Sequence, residues 1–564
     1  MLLSNLELLA TAPGGVAKLR ELILTLAVQG KLVPQDPGDE PASVLLQKIR
    51  AEKDRLIAEG TIKKDKPLAA IADEEKPFGL PEGWEWVRAL DICALITDGD
   101  HQPPPKADTG VPFLVIGDVR TGAVLLSGAS RFVPDSYFDE LDWGKKPFLG
   151  DVLYTTVGSF GIPVPVVQQQ RFCFQRHIAL FRPAVLDLQS YLALALQTTL
   201  AFRQAEKGAT GTAQKTVPLS VLRNLILPLP PLTEQSRIVT RVEELMRLCD
   251  ALEAKGQLEA TQHAQLLSTL LGTLTASTTP EELANNWQRV AQHLDLLLDR
   301  PEAIDALEQT LLQLAVRGLL VPQDPTDEPA SVLLQKIRAE KDRLITEGKI
   351  KKDKLLPSVT DEEKPFELPV GWEWVKGRDL FTVVRGVTYQ KADAKDSPAE
   401  GLLPLLRANN IQGTVNFEDL VYVPASLVSE DQILRSGDYV VCLASGSKNL
   451  VGKAAPFRPE LICSFGAFCG AIRPIASADY FTVYLASPMY REAVSAASAG
   501  IGINNLKGAS LLGLGIALPP LPEQSRIVAR VEELMRLCAD LRQRLAEREV
   551  VQARLAEALA QSVA

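Results

Sequence analysis

Residues 26–86 and 314–374 align at a constant offset of 288 with no gap, and 49 of the 61 pairs are identical. Both copies end in the same tetrad, Gly83-Trp84-Glu85-Trp86 and Gly371-Trp372-Glu373-Trp374. A second block, Pro230–Cys249, recurs as Pro519–Cys538 at an offset of 289, with 18 of 20 pairs identical. The stretches between the blocks, 87–229 and 375–518, are 143 and 144 residues long yet share almost no residue-by-residue similarity. Such a period lies far above the ~20–50 residues of a solenoid repeat, so the pattern reads as tandem duplication of a whole domain with its connector. It predicts five segments: an N-terminal scaffold segment at 1–86, a variable domain at 87–229, a central scaffold at 230–374, a second variable domain at 375–518 and a C-terminal scaffold helix at 519–564.

A length of 564 residues corresponds to about four domains of ~150 residues. The 46% hydrophobic and 23% charged content belongs to the globular class. No apolar run reaches 18 residues, and Met1–Leu9 carries Glu7 without a basic cluster. The expectation is therefore a cytoplasmic protein with no membrane span and no signal peptide. Seven cysteines without a CxxC pair or Cys/His spacing predict buried reduced thiols and no metal.

The net charge of -10 is unevenly spread. Each insert holds 13 basic and 12 acidic residues, whereas the remaining chain holds 34 basic and 46 acidic, a net -12. An acidic scaffold carrying two near-neutral inserts directs any contact with a polyanion to the inserts.

After each Pro-Pro-Leu stop, Ile238, Val242, Leu245, Cys249 and Leu252, and in the second copy Ile527, Val531, Leu534, Cys538, Leu541 and Leu545, recur at spacings of three and four. That seam predicts long helices from about Glu234 towards Leu271 and from Glu523 towards Leu559, either paired as a coiled coil or packed on their own domains. Ala42–Gly60 and Ala330–Gly348 read as shorter helices with Pro41 and Pro329 in the first turn and glycine at the stop. The KKDK segments at 63–66 and 351–354 read as exposed linkers, and Trp-Glu-Trp as the first strand of each insert.

Within the inserts, β-branched and aromatic runs with turn signals predict mixed α/β domains. Faint likenesses link Phe113–Gly122 to Pro404–Gly413 and Gly150–Ser159 to Gly437–Ser447. Each insert closes with a glycine-containing loop, Thr210-Gly211-Thr212 or Gly500–Asn505, so the two read as one fold bearing different surfaces.

The usual catalytic constellations fail. No phosphate-binding loop is present, since Gly446–Lys453 has the wrong spacing, and no strand-borne GxGxxG with an acidic ribose ligand follows. Glu74-Glu75-Lys76 lacks the upstream aspartate of a nuclease site, and the four histidines (His101, His177, His263, His293) form no cluster in sequence. The expectation is a chain with no active site and no cofactor.

Two divergent domains, each entered through Gly-Trp-Glu-Trp and left through Pro-Leu-Pro-Pro-Leu-Thr-Glu-Gln-Ser-Arg-Ile-Val (228–239) or Leu-Pro-Pro-Leu-Pro-Glu-Gln-Ser-Arg-Ile-Val (518–528), followed by Val-Glu-Glu-Leu-Met-Arg-Leu-Cys, resemble the specificity subunit of type I restriction-modification systems. The resemblance covers essentially the whole chain; Asp98–Pro104 and Gly500–Asn505 also resemble loops of that family's target-recognition domains. It implies a mixed α+β fold, with two target-recognition domains joined by long, paired antiparallel scaffold helices in pseudo-twofold symmetry. It implies that each insert reads one half of a bipartite, asymmetric double-stranded DNA site, that two methyltransferase subunits dock on the scaffold, and that methylation, translocation and cleavage belong to the methyltransferase and restriction subunits.

The same logic pairs the chain ends: one scaffold copy is expected from 1–86 with 519–564, the other from 230–374, so that Met1 and Ala564 meet. Candidate DNA contacts in the first insert are Arg120, Lys145, Lys146, Arg171, Arg176 and Lys215 for phosphate or guanine and Gln169, with Gln168, Gln170 and Gln214, for adenine. The second insert offers Arg407, Asn409, Asn410, Gln412, Lys448, Asn449, Lys453, Asn504, Asn505 and Lys507. Two other readings compete: a protein-binding coiled-coil scaffold with two divergent interaction domains, which the acidic total favours, and a pair of hydrolase domains.

Overall fold

The computed structural model describes residues 12–101, 104–211, 214–351, 359–476, 479–498 and 504–563. It divides into two compact units, Met1–Glu259 with Arg548–Ala564, and Ala260–Glu547. Six helices carry the scaffold: α1 (Gly15–Val28), α2 (Ala42–Ala58), α3 (Leu232–Ala276), α4 (Pro301–Val316), α5 (Ala330–Thr346) and α6 (Leu521–Val563).

The two long helices start where expected, directly after Pro230-Pro231 and Pro519-Pro520, and run 45 and 43 residues. In α2 and α5 the prolines stand one position earlier than predicted: Pro41 and Pro329 are extended cap residues at φ -61, outside the first turn. Gly60 and Gly348 take up positive φ just past each end, the conformation that favours glycine there.

The seam of α3 settles on its own unit. Ile238, Val242 and Cys249 are buried in one cluster with Leu19, Ile23 and Leu24 of α1. In α6, Ile527 and Val531 join the second unit's core, and Cys538 and Leu545 pack with Leu307 and Leu311 of α4. Each such aliphatic side chain taken out of water contributes about 1.5–3 kcal/mol. Leu267, Leu271 and Leu274, late in α3, belong to the α4 cluster, so α3 begins in one unit and ends in the other.

The expected pairing of 1–86 with 519–564 is thereby corrected in part, since only 548–564 joins the first unit. Segment 1–86 is held mainly by residues 230–259 of its own copy: the Trp84 indole donates to Glu234 at 2.9 Å, Gln35 donates to Glu234 at 2.7 Å, and Arg237 pairs with Asp39. The second copy repeats each contact through Trp372, Gln323 and Glu523, with Arg526 on Asp327. Identical local repeats cannot by themselves encode which copy they pair with. The C-terminal part of α6 nevertheless returns to the first unit, where Ala556 packs on Ala12 and Lys18 is paired with Glu557. Met1 and Ala564 themselves lie outside the described residues.

In the first insert the strands are β1 (Glu85–Arg88), β2 (Cys93–Asp98), β3 (Val111–Leu114), β4 (Phe132–Val133), β5 (Val152–Thr155), β6 (Pro163–Pro165), β7 (Cys173–Phe174), β8 (Ile178–Pro183) and β9 (Ile226–Leu229). In the second they are β10 (Glu373–Lys376), β11 (Phe381–Arg385), β12 (Leu402–Leu406), β13 (Val421–Pro424), β14 (Tyr439–Cys442), β15 (Ala444–Ser445), β16 (Ala454–Pro456), β17 (Ser464–Phe465), β18 (Cys469–Pro474), β19 (Asn504–Asn505) and β20 (Gly515–Leu518).

Three sheets of each insert match strand for strand: stems β1-β9 and β10-β20, four-stranded sheets β2-β8-β5-β6 and β11-β18-β14-β16, and three-stranded sheets β4-β3-β7 and β13-β12-β17; the second insert adds the pair β15-β19. The inserts are one fold with almost no common sequence. Each stem is antiparallel, with Glu85 opposite Leu229 and Glu373 opposite Leu518, so the insert enters and leaves its scaffold at a single two-stranded point.

The sheets form because their central strands are buried on both faces. Val152 and Tyr154 face the scaffold-side core while Leu153 faces the smaller cluster with Leu114 and Phe172, the period of two of a strand. A buried bidentate ion pair ties β8 to the start of β5: Arg182 to Asp151 at 2.8 and 2.7 Å, repeated as Arg473 to Asp438 at the same two distances. The likeness of Gly150–Ser159 to Gly437–Ser447 has this cause. The other likeness is one residue out of register. Leu114 pairs with Phe174 and Leu406 with Phe465, so Leu114 corresponds to Leu406 and Asp118 to Asn410, both of which accept from the backbone N–H three residues earlier.

Among the described residues, no helix is long and apolar enough to cross a membrane, and no group of three or more His, Cys, Asp or Glu is placed to hold a metal ion. All seven cysteines are buried and unpaired.

Candidate nucleic-acid interface

Four chain segments, distant in sequence, converge at one end of the large sheet in each insert. In the first insert they are the loop after β2 (98–101), the loop after β5 (156–159), the β7–β8 turn (175–177) and the segment 209–217. Asp100 bridges Gln175, Thr156 N–H donates to the His177 carbonyl at 3.0 Å, and Val157 bridges Thr216. In the second insert Val387 bridges Gly466, Leu443 N–H donates to the Phe468 carbonyl at 2.8 Å, and β15 pairs with β19. The backbone lattice is the same; the side chains differ.

Gly99 and Gly386 permit the closest of these approaches. A Cβ at Gly99 would stand 2.1 Å from the Phe174 carbonyl oxygen, and one at Gly386 2.1 Å from that of Gly466. Only glycine lets the backbone come so near.

The first cluster exposes Arg176, Gln214 and Lys215, with His101 alongside. Lys215 is paired with Glu206 at 3.0 Å and His101 with Asp98 at 3.1 Å. Burial, and then the neighbouring Arg176 guanidinium, lower the His177 pKa below its ordinary value, leaving a ring nitrogen 3.3 Å from Arg176 Nε as acceptor. Lys145 reaches the cluster's rim through Asp100 at 3.1 Å.

At the corresponding turn of the second insert, Ala467 and Phe468 replace Arg176 and His177, and the Phe468 ring is 64% exposed. Lys448, Asn449, Asn505 and Lys507 are exposed around it, Asn504 lies on the same short strand, and Lys453 stands at the foot of the loop. Guanidinium, ammonium and amide groups beside an exposed ring supply contacts to phosphates, base edges and thymine methyls.

The remaining predicted contacts fall elsewhere. Arg171 is paired with Asp135 and Asp139 over the Phe138 ring, Lys146 donates to the Asp139 carbonyl, and Gln169 accepts from Leu149 N–H. Arg120 is exposed at the end of the short helix after β3. Arg407, Asn409, Asn410 and Gln412 form the β12–β13 connection. There Asn410 is buried with its amide NH2 on the Glu418 carbonyl and its oxygen on Arg407 N–H, and Gln412 donates to the Asn409 carbonyl. His177 and Phe468 were not singled out as readers from the sequence, and their only signal was the turn between two apolar strands. Parts of the predicted loops, Gln102, Pro103, Thr212 and 500–503, lie outside the described residues.

Known proteins resemble the chain along nearly all of its length. A family model described as "Type I restriction modification DNA specificity domain" matches twice, at 81–262 and 369–548. The "Type I restriction enzyme EcoAI specificity subunit" of Escherichia coli is 36% identical across 97% of this chain and 93% of its own length. The EcoEI specificity subunit, also of Escherichia coli, is 37% identical with the same coverage. Among solved structures, the HsdS subunit from Thermoanaerobacter tengcongensis is similar over 86% of this chain and 98% of its own, at 19% identity and a TM-score of 0.39.

Proposed function

The chain belongs to the family of type I restriction-modification specificity subunits, and from that membership we propose that its two inserts, 87–229 and 375–518, each read one half of a bipartite double-stranded DNA site. The single observation carrying the reading is the four-segment loop cluster, built twice on one backbone lattice and dressed with different side chains. A reader of an asymmetric site needs two different surfaces on equivalent supports. Arg176 suits a guanine edge, Asn505 an adenine and Phe468 a thymine methyl or a base face. Lys215, Lys448 and Lys507 suit phosphates. The near-neutral inserts on an acidic scaffold direct DNA to these loops and away from the helices.

Segments 1–86, 230–374 and 519–564 form the scaffold on which two copies of a methyltransferase subunit dock, with restriction subunits completing the assembly in the cytoplasm and carrying out the chemistry. An internal comparison supports the twofold docking. α2 and α5 share 16 of 17 residues although only three in each are buried, while the more deeply buried α1 shares only 5 of 14 with its equivalent in α4. Both pairs descend from one duplication, and packing constrains buried positions more than exposed ones. Identity kept on the outer face and lost inside is what one external partner, bound twice, requires.

In the assembled methyltransferase, Arg176→Ala is expected to relax the first half-site and Phe468→Ala the second, each leaving the other intact, by base-resolution methylation mapping. Loss of preference in neither half would remove the loop cluster from DNA reading.

A further inference from the structure

The duplicated framework is the same in both units at every buried polar contact named above, and it is inverted at one exposed one. In the first unit Arg20 of α1 is held by Asp250 at 2.6 Å and Glu253 at 3.0 Å of α3. In the second, Arg542 of α6 is held by Asp305 at 2.6 Å and Glu308 at 3.1 Å of α4. At the repeat offsets of 288 and 289, Glu308 stands where Arg20 does and Arg542 where Glu253 does. The cation sits on the entry helix in one copy and on the exit helix in the other.

We propose that these six side chains are a pairing code that makes each entry helix select the first part of its own long helix and reject the first part of the other copy's. The apolar seams cannot discriminate, because Leu19 and Leu307, Ile23 and Leu311, and Cys249 and Cys538 are near-equivalent occupants of the same positions. Chain connectivity favours the wrong choice. Arg20 lies 230 residues before Asp250, and Arg542 lies 237 and 234 residues after its partners, whereas Glu308 follows Asp250 by only 58. Loop closure scaling as the -3/2 power of length favours α4 over α1 on the start of α3 by about eightfold.

Charge reverses that bias. With α4 on α3, Asp305 and Glu308 face Asp250 and Glu253 with no cation among the six; with α1 on α6, Arg20 faces Arg542. Partly exposed pairs each shift an equilibrium about twofold. On the start of α3, exchanging two attractive contacts for two repulsive ones therefore shifts it about sixteenfold, enough to overcome the loop term.

The test asks which long helix captures α4 when the full chain refolds. Leu311→Cys is placed beside Cys538, with which Leu311 shares a cluster; Cys249 occupies the equivalent position on α3. The protein is unfolded, refolded reduced at low salt, then oxidised, and the disulfide is located by peptide mass mapping. With native charges the product is 311–538. Adding Asp305→Ala, Glu308→Arg, Ala539→Asp and Arg542→Glu rebuilds a matched ion cluster in the second unit but gives both units the same sign, so the 311–249 product should rise at least tenfold. An unchanged product ratio would reduce the clusters to local ion pairs and overturn the code. Should the multiple variant fail to fold, the native-charge reporter refolded in 1 M salt, where the screening length is about 3 Å, must also show the 311–249 product increasing; an unchanged ratio there overturns the proposal equally.

Discussion

Replacing Gly99 with alanine tests the loop cluster at its tightest point. The new Cβ would lie 2.1 Å from the Phe174 carbonyl oxygen and 2.6 Å from the Gln175 carbonyl carbon, both backbone atoms with no rotamer to yield. Ordinary carbon–oxygen contacts begin near 3.3 Å, so the loop after β2 and the β7–β8 turn must part by roughly 1 Å. Overpacking of that kind costs about 1–3 kcal/mol, equivalent to a fall in Tm of roughly 2–12 °C for a unit of this size. The same displacement moves the 175–177 turn that carries Arg176 and His177. Recognition of the first half-site should weaken roughly five- to hundredfold, the worth of one lost bidentate base contact.

Differential scanning calorimetry and fluorescence-anisotropy titration of the assembled methyltransferase, with DNA carrying either half-site altered, read both effects. Gly117→Ala, with open space around its added carbon, is the control and should change neither. A Gly99→Ala protein that melts and binds like the parent would refute the close approach and with it the geometry assigned to the cluster.

Two further outcomes follow from the same structure. Asp151→Ala strands the buried Arg182 guanidinium, which is also stacked 4.1 Å from the Trp143 ring, and should destabilise the first unit by about 3–5 kcal/mol in denaturant unfolding, with Asp438→Ala acting likewise on the second. Four residues inserted after Gly256, in the unbroken α3 shortly before it enters the second unit, add ~6 Å of helix and should lengthen the preferred spacer by one to two base pairs at ~3.4 Å each, as read by methylation mapping; an active complex with an unchanged spacer would mean that α3 does not set the separation.

What the sequence disclosed was whatever the duplication had preserved. The stems after Trp84 and Trp372, the starts of α3 and α6 after their prolines, and the glycine stops of α2 and α5 were all readable, because each is local chemistry repeated twice. The equivalence of α1 and α4 was not, since an apolar core accepts many aliphatic combinations and 5 of 14 identities fall beneath a visible alignment. Nor was the choice of partner for segment 1–86. A repeated seam specifies a face and leaves open which copy covers it; the inverted charges at Arg20 and Arg542 become informative only once the contacts are known.

The likeness of 113–122 to 404–413 aligns Gly122 with Gly413, both at positive φ, but strand pairing rather than the turn glycine fixes register and shifts it by one residue. The loop cluster stayed hidden for a related reason. Its four segments span 98–217 in one insert and 386–507 in the other, and its most telling pair, His177 and Phe468, shares a backbone position and no chemistry.

The central claim is that the two inserts read the two halves of the site independently on an invariant support. Its most direct measurement is single-molecule methylome sequencing of cells whose specificity subunit carries another family member's insert in place of residues 87–229, joined at the β1–β9 stem. The account predicts that one half of the methylated sequence changes to the donor's while the other half and the spacer stay as they were. A change in both halves, in a complex that still methylates DNA, would contradict it.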